Sequence, residues 1–204
     1  MERKSGKVKS NFNTQQGGVN ELYLIWVGDL ERDERSKIFH TQVDRNDFEP
    51  KTMVIHSHRN KITVGSNEGN AFGDYELNST LCSCLIDPRH ATILRMPNGS
   101  FRLLDHSQNG TFLNYRKIAS HANLSHGDII CFGHPDSAKI GHGNVVEPFY
   151  WDLKYKVFIG LHEEVLLKIG EAINAEEINR HDVSLTIQIE IAHLEYKKLT
   201  TNTN

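Results

Sequence analysis

The sequence has few cysteines, no long apolar run and no excess of positive charge. Three cysteines in 204 residues are too few, and odd in number, for a disulfide framework, which favours a reducing compartment. The longest apolar runs, such as Leu22–Val27, are far too short to span a bilayer. No charged-then-apolar leader begins the chain, so we expect neither membrane insertion nor secretion. The net charge of −3 argues against nucleic acid as the main partner, because nucleic-acid-binding domains are normally basic.

Charge is distributed unevenly along the chain. Four bases lie between Arg3 and Lys9, against a single acid in the first ten residues. Residues 1–20 contain almost no apolar side chains, so we predict a disordered basic leader there. Such a leader can be a nuclear-import signal or a solvated tail. It favours a nuclear location, with the cytoplasm as the alternative.

A series of short segments with strand character follows, separated by turn residues such as those at 97–99. The predicted strands are Glu21–Gly28, Lys37–Val43, Thr52–His56, Lys61–Gly65, Asp74–Leu77, His90–Arg95, Ser100–Asp105, Gly110–Leu113, Asp128–Phe132 and Pro148–Val157. In the last of these, apolar and polar residues alternate strictly from Phe149 to Val157, as in a strand with one buried face. Many short strands at close spacing predict an all-β sandwich or barrel.

After Gly160 the apolar period becomes helical, beginning with Leu161, Val165 and Ile169. The pattern of residues 183–192 fits either a strand or a helix. Good helix formers continue to residue 199, which favours the helix. This helix carries two apolar stripes, which need cover from the sandwich or from another chain. We therefore predict a helical extension over residues 158–199 that could form a coiled coil, with self-association through residues 161–199, and a disordered tail over 200–204.

Four short motifs occur in a fixed order within the predicted sandwich. Ile62–Gly65 ends a strand at a glycine, and Asp87–Ile93 enters the next clear strand through a histidine. Asn109-Gly110-Thr111 follows Leu103, and Gly127-Asp128 precedes the apolar strand that ends at Gly133. This order and spacing resemble the forkhead-associated (FHA) domain family. The resemblance covers about two-thirds of the chain, and we assign the FHA domain to residues 21–157.

The resemblance implies a β-sandwich whose loops at one end bind phosphothreonine peptides. In the family, an arginine directly after the strand-ending glycine reaches the phosphopeptide, and a serine three residues before the histidine donates to the phosphate. The asparagine of the Asn-Gly-Thr motif holds the peptide backbone, and the residue before it helps to select threonine. This is charge-assisted recognition of a dianion. The resemblance assigns structural roles to Gly65, His90, Gly110, Thr111, Gly127 and Asp128.

The family-matched peptide-binding positions of this chain are Ser66, Asp87, Gln108 and Asn109. Ser66 stands where the family has arginine, so the cation is missing. Asp87 stands where the family has serine, and an ionised carboxylate has no donor and repels a phosphate. Pro88 follows it, with neither a donor side chain nor a backbone N–H. Asn109 keeps its family role, and Gln108 still has a donor.

The loss of two charge-assisted hydrogen bonds, worth about 1.5–3 kcal/mol each, would weaken phosphothreonine binding by about a hundredfold or more. We therefore expect a non-enzymatic protein–protein interaction module that scaffolds a complex with little or no phosphothreonine dependence. Its partner would be a protein or peptide. The alternative is a phosphothreonine reader in nuclear signalling, such as the DNA-damage response, the cell cycle or transcription. Arg89 or Arg102 would then replace the missing cation.

Two patterns would instead indicate an enzyme. Cys82 and Cys84 with His90 could ligate zinc, although the cysteine spacing is not the usual one and Cys131 stands alone in a predicted core strand. Residues 105–107, Asp-His-Ser, have the residue types of a hydrolase triad, but neighbours at a strand end point in different directions. We expect no catalytic residue, no metal site and no cofactor.

Overall fold

The computed structural model describes residues 18–28, 50–67, 73–79, 81–146 and 151–201. Within these ranges the chain forms eleven strands and two α-helices. The strands are β1 (Glu21–Trp26), β2 (Thr52–Ile55), β3 (Lys61–Gly65), β4 (Tyr75–Glu76), β5 (Ala91–Arg95), β6 (Phe101–Asp105), β7 (Thr111–Leu113), β8 (Arg116–Lys117), β9 (His121–Leu124), β10 (Ile129–Phe132) and β11 (Lys154–Gly160). The helices are α1 (His162–Asn174) and α2 (Leu185–Thr201). The strand predicted at Lys37–Val43 and residues 1–17 of the predicted leader lie outside the described residues.

The strands form two sheets packed face to face. The order is β2-β1-β11-β10-β7-β8 in the first sheet and β4-β3-β5-β6-β9 in the second. The named strands pair antiparallel except β3 and β4, which are parallel. Side chains from both sheets share one core, with Leu22 and Val157 from the first sheet and Ile62, Ile93 and Leu103 from the second. The predicted all-β sandwich with a helical extension is therefore confirmed.

Strand β1 is buried on both of its faces, which explains the apolar run of residues 22–26 within it. Leu22 and Leu24 point into the core between the sheets. Tyr23 and Ile25 point to the opposite face and belong to a second apolar cluster beneath the helices. The strand pairs with β11 on one side and β2 on the other. The helical extension is thus part of the packing of the sandwich.

The last strand begins and ends later than predicted. Residues 151–153 precede β11, and residues 148–150 of the predicted strand lie outside the described residues. Asp152 is 1% exposed and accepts hydrogen bonds from the Ser79 hydroxyl at 3.1 Å and from the Leu153 N–H at 2.9 Å. The strict alternation therefore fails there. The strand continues to Gly160 because Phe158, on its outer face, is covered by α1.

Helix α1 lies on the outer face of the first sheet. It buries Val165, Leu166 and Ile169 in the cluster that contains Phe158. Glu164 accepts from the N–H of Leu161 at 3.3 Å and closes the first turn. His162 contributes a second link to the sheet, because its Nδ1 lies 2.9 Å from the Glu21 carboxylate.

Helix α2 confirms the helical interpretation of residues 183–192 and continues through Thr200 and Thr201, which were predicted to belong to the tail. Ile187 and Ile191 pack in the same cluster as α1. Gln188 stabilises the first turn by donating to the Val183 carbonyl at 2.7 Å. Among the described residues, neither helix is long and apolar enough to cross a membrane.

Two short strands, β8 and β9, had no sequence prediction. Strand β8 is entered through a tight turn in which Asn114 and Tyr115 have φ angles of 50° and 62°, the geometry of a two-residue hairpin. Strand β9 has the sequence His-Ala-Asn-Leu, with only Leu124 buried. Neither segment has an apolar alternation long enough to identify it, and pairing with β7 and β6 decides the conformation.

Candidate functional site

The predicted binding positions lie in loops at one end of the sandwich. Gly65 ends β3 where the 81–90 loop passes very close to it. A Cβ atom at Gly65 would lie 2.1 Å from the Pro88 carbonyl oxygen, so only glycine allows this approach. The backbone of Ser66 donates to the Asp87 carbonyl at 3.0 Å. The backbone of Leu77 donates to Gly65 at 2.8 Å. The structure therefore brings Ser66 and Asp87 side by side.

His90 connects this loop with the Asn-Gly-Thr turn. Its side chain is fully buried. Its Nδ1 accepts from the Asp87 N–H at 3.3 Å, and its Nε2 lies 3.2 Å from the Gly110 carbonyl oxygen. A neutral imidazole that is protonated at Nε2 supplies one acceptor and one donor, as these two contacts require. Burial lowers the pKa of His90 below its usual 6.5, which favours this neutral form.

Asp87 holds the 106–110 loop through its carboxylate. One carboxylate oxygen accepts from the Gln108 N–H at 2.8 Å. The side chain is half-buried, whereas Gln108 is exposed. Asp87 therefore presents a negative charge at this surface and uses part of its accepting capacity within the chain.

Asn109 also forms a side-chain hydrogen bond within the chain. Its Nδ2 donates to the Cys84 carbonyl at 2.8 Å, and its own carbonyl accepts from the His134 N–H at 3.0 Å. Gly110 follows with φ of +76°, a conformation that favours glycine. The side-chain amide of Asn109 therefore binds the 81–90 loop of the same chain.

Ser66 is 7% exposed. Its hydroxyl has no hydrogen-bond partner among the described residues. A nearly buried hydroxyl cannot supply the charge or the reach of an arginine at this position. Arg89, two residues after Asp87, is an exposed cation, and its charge contributes to a lowered pKa of His106, for which burial is the larger cause.

Thr111 and Asp105 fix the shape of the Asn-Gly-Thr turn. One oxygen of Asp105 accepts from the Thr111 hydroxyl at 2.9 Å and from the N–H and hydroxyl of Ser107 at 3.0 and 2.6 Å. The sequence pattern of Asp105 and Ser107 predicts an ordinary turn before the Asn-Gly-Thr motif, and the hydrogen bonds from Ser107 to Asp105 confirm it.

Gly127 and Asp128 lie at the opposite end of strand β10 from these loops. Gly127 has φ of +87°. The Asp128 carboxylate accepts from the Ser125 N–H and from the Asn114 side chain, both at 2.8 Å. They shape a turn remote from the candidate site.

The two enzyme patterns do not assemble a reactive centre. Ser107 donates to Asp105, whereas the Nε2 atom of His106 lies 3.0 Å from the Thr92 hydroxyl. A triad requires the histidine to contact the serine. No group of three histidine, cysteine or acidic side chains in the described part of the chain could hold a metal ion.

Cys82 and Cys84 form a disulfide, a single local bridge that the argument against a disulfide framework did not consider. Their Cα atoms are 5.2 Å apart, within the range that a disulfide spans. The sequence argument considered a framework between distant cysteines and overlooked a local bridge. Both residues are exposed, and Cys131 is buried in β10.

The fold and these loops define a β-sandwich domain with a candidate interaction surface at one end. The family model of the FHA domain matches residues 62–133, so the chain contains an FHA domain. FHA domains are protein–protein interaction modules that usually bind phosphopeptides and are generally not enzymes. The match lies inside the predicted domain of residues 21–157, whose outer limits stay a prediction.

Similar solved structures include the FHA domain of the CT664 protein from Chlamydia trachomatis, with a TM-score of 0.41 and 16% identity over 67% of this chain and 95% of that chain. EmbR from Mycobacterium tuberculosis, in complex with a low-affinity phosphopeptide, has a TM-score of 0.38 and 14% identity over 67% of this chain and 24% of that one. The FhaA FHA domain, complexed with the intracellular domain of Rv3910, has a TM-score of 0.35 and 17% identity over 69% and 99% of the two chains. No curated protein matches the chain.

Proposed function

We propose that this FHA domain is a non-enzymatic interaction module that binds a protein or peptide with little or no dependence on phosphothreonine. The observation that carries the proposal is that the family-matched ligand positions interact within the chain. The Asp87 carboxylate accepts from the Gln108 N–H, and the Asn109 amide donates to the Cys84 carbonyl, both at 2.8 Å. Ser66 is nearly buried.

The charges at this surface oppose a phosphate in the family position. A phosphate dianion placed there would meet the Asp87 carboxylate in place of a hydroxyl donor, and like charges at contact distance repel. To reach a peptide, the Asn109 amide would also have to give up its bond to the Cys84 carbonyl. A peptide that relies on apolar and neutral polar contacts meets neither obstacle.

Binding of an oriented peptide library, measured with and without phosphate on threonine, tests the proposal. We expect no peptide to bind the wild-type chain more than about twofold better when phosphorylated, since both charge-assisted donors are missing. A peptide that gained tenfold or more from the phosphate would overturn the proposal.

The variant Asp87→Ser sharpens this test. It removes the opposing charge and restores a hydroxyl donor, so affinity for phosphorylated peptides should rise about tenfold or more relative to wild type. The matched control is Glu171→Ser, which removes the same charge from an exposed position on α1 and should leave both affinities unchanged.

A second function, phosphothreonine reading in nuclear signalling through a rearranged site, is favoured by one observation. Arg89 is exposed two residues after Asp87, and its charge acts on His106 in the adjacent loop. A reader of this kind would use Arg89 as the displaced cation. Arg89→Gln would then abolish a phosphate preference, whereas Arg102→Gln, on the neighbouring strand β6, would preserve it.

We also propose a nuclear location, on the strength of the four bases between Arg3 and Lys9. A fluorescent fusion of the full chain should lose nuclear enrichment when all four are replaced by glutamine. An unchanged distribution would remove the basis for this proposal.

A further inference from the structure

The 81–90 loop carries an exposed disulfide beside the candidate binding residues. Cys82 and Cys84 are joined across a sequence separation of 2, and both residues are exposed. Because the bridge closes so short a loop, it excludes few conformations of the unfolded chain and adds little stability. Stabilisation of the fold therefore does not account for this pair.

The disulfide closes a single turn of 3-10 helix over Ser83–Leu85. The Sγ atom of Cys82 accepts from the Cys84 N–H at 3.3 Å, and the Cys82 carbonyl accepts from the Leu85 N–H at 3.1 Å. A 3-10 helix of this length is marginal on its own, because its hydrogen bonds are poorly aligned and few. The covalent link therefore fixes the position of the Cys84 carbonyl.

The Cys84 carbonyl connects the disulfide with the candidate binding surface. It accepts from the Asn109 Nδ2 atom at 2.8 Å, and Asn109 is the family-matched residue for holding a peptide. The next residues along the chain, Leu85 and Ile86, are 6% and 2% exposed and pack in the core between the sheets. A change at the disulfide is therefore confined to the segment before Leu85, and it reaches Asn109 but not His90.

We propose that Cys82 and Cys84 are a redox-active pair whose oxidation state controls the side-chain amide of Asn109. In the oxidised chain, the disulfide holds the Cys84 carbonyl against Asn109. In the reduced chain, the turn loosens, the Cys84 carbonyl moves away, and the amide is free to bind a peptide. This consequence for peptide binding rests on the function proposed above.

The co-reactant of this pair is a dithiol. One of its thiolates attacks the sulfur of Cys82 or Cys84, forms a mixed disulfide and releases the other cysteine sulfur as a thiolate. The second thiol of the co-reactant then breaks the mixed disulfide. Two electrons and two protons pass to the cysteine pair, while the dithiol is oxidised to a disulfide. Exposed disulfides are more readily reduced than structural ones, and in reducing compartments they are transient and redox-sensing.

Equilibration of the full chain with mixtures of reduced and oxidised dithiothreitol tests the pair. Alkylation followed by measurement of the intact mass should show labels at both Cys82 and Cys84 as the reduced fraction rises. Cys131 is buried in β10 and should be labelled only in denaturant. A disulfide that stays closed in fully reduced dithiothreitol, or that never forms in the oxidised reagent, would overturn the proposal.

Nuclear magnetic resonance of the isotope-labelled chain tests the coupling to Asn109. Its side-chain N–H signals should shift with the same midpoint as the labelling. The side chain of Asn98, in the turn at the opposite end of β5 and β6, is the control and should not respond. In the double variant Cys82→Ser/Cys84→Ser, Asn109 should keep the reduced position in every mixture. An Asn109 signal that is indifferent to reduction of the disulfide would contradict the coupling.

Peptide affinity separates this inference from the proposed function. The unphosphorylated peptide that binds best in the library should bind the reduced chain about three- to tenfold more tightly, which is the equivalent of one hydrogen bond. Equal affinity in the two states would overturn control of binding by the pair. A chain that binds no peptide in either state contradicts the proposed function alone, because neither the labelling nor the Asn109 shift depends on a peptide.

Discussion

His90 is the residue through which the loops of the candidate surface are coupled. Its buried ring accepts from the Asp87 N–H and donates to the Gly110 carbonyl. Its backbone accepts from His106 at 2.9 Å. His90 thus holds two loops, residues 81–90 and 106–110, in register, and only the neutral ring can supply one acceptor and one donor.

Acidification should destabilise the protein through His90. Burial lowers the pKa of His90 in the folded state, so below about pH 6.5 the unfolded chain binds more protons than the folded chain. The stabilising contribution is present above that pH and is lost as the pH falls. Urea unfolding between about pH 7.5 and about pH 5.5 should show a falling free energy of unfolding. The other histidines with lowered pKa values, His106, His126 and His134, act in the same direction.

The variant His90→Gln identifies the residue responsible. An amide can donate and accept but does not titrate in this range, so this variant should be less stable at neutral pH and lose less stability on acidification. His58→Gln, at an exposed position, should retain the wild-type slope. A wild-type slope in His90→Gln would show that other groups carry the pH dependence.

At the scale of single residues, the sequence predicted which positions matter better than it predicted their contacts. The replacements at Ser66 and Asp87 are visible in the sequence because the flanking motif is regular. The bonds from Asp87 to Gln108 and from Asn109 to Cys84 join residues 21 and 25 positions apart. Such contacts depend on how separate loops approach, which neither local propensity nor periodicity encodes.

At the scale of elements, α1 acts as the cover of a sheet face. Tyr23, Ile25 and Phe158 project from β1 and β11 into the cluster occupied by Val165 and Ile169. A sheet buried on both faces has apolar residues in succession, as in residues 22–26 of β1. The apolar period of α1 was visible in the sequence, but the surface it covers was not.

Ile169→Ala should destabilise the whole domain. Ile169 is fully buried between α1 and the sheet, so its truncation removes apolar contacts and leaves a cavity that costs about 2–5 kcal/mol. Chemical denaturation measures the change in the free energy of unfolding. Ile173→Ala, one turn further along α1 and only half-buried, is the matched control and should cost less. Equal effects would mean that α1 is not anchored through Ile169.

At the scale of the whole molecule, the helical extension completes the domain. A chain ending after Gly160 exposes Tyr23, Ile25 and Phe158, each worth about 1.5–3 kcal/mol when buried. That loss is comparable to the entire stability of a typical domain. We expect the truncated chain to aggregate or to bind a hydrophobic dye. Its near-ultraviolet circular dichroism signal, which reports tertiary packing, should be lost.

A shorter truncation separates the roles of the two helices. A chain ending after Asn179 keeps α1 and Ile178, both of which belong to the cover of the sheet, and should retain a cooperative thermal transition. A folded, monodisperse chain ending after Gly160 would contradict the view that the sandwich needs this cover.

The sandwich, the order of its motifs, the helical extension and the replaced positions at Ser66 and Asp87 all follow from the sequence alone. These properties depend on local periodicity and on short motifs, and both are written in consecutive residues. The folded structure is needed to see that β1 is covered on both faces and that Asp87 and Asn109 bond within the chain. It also shows that Ile187 and Ile191 of α2 are buried while Leu185 and Ile189 face solvent. Each of these features depends on which segments, distant in the sequence, pack against one another. Many contacts throughout the core together stabilise that arrangement, so no single stretch of sequence encodes it.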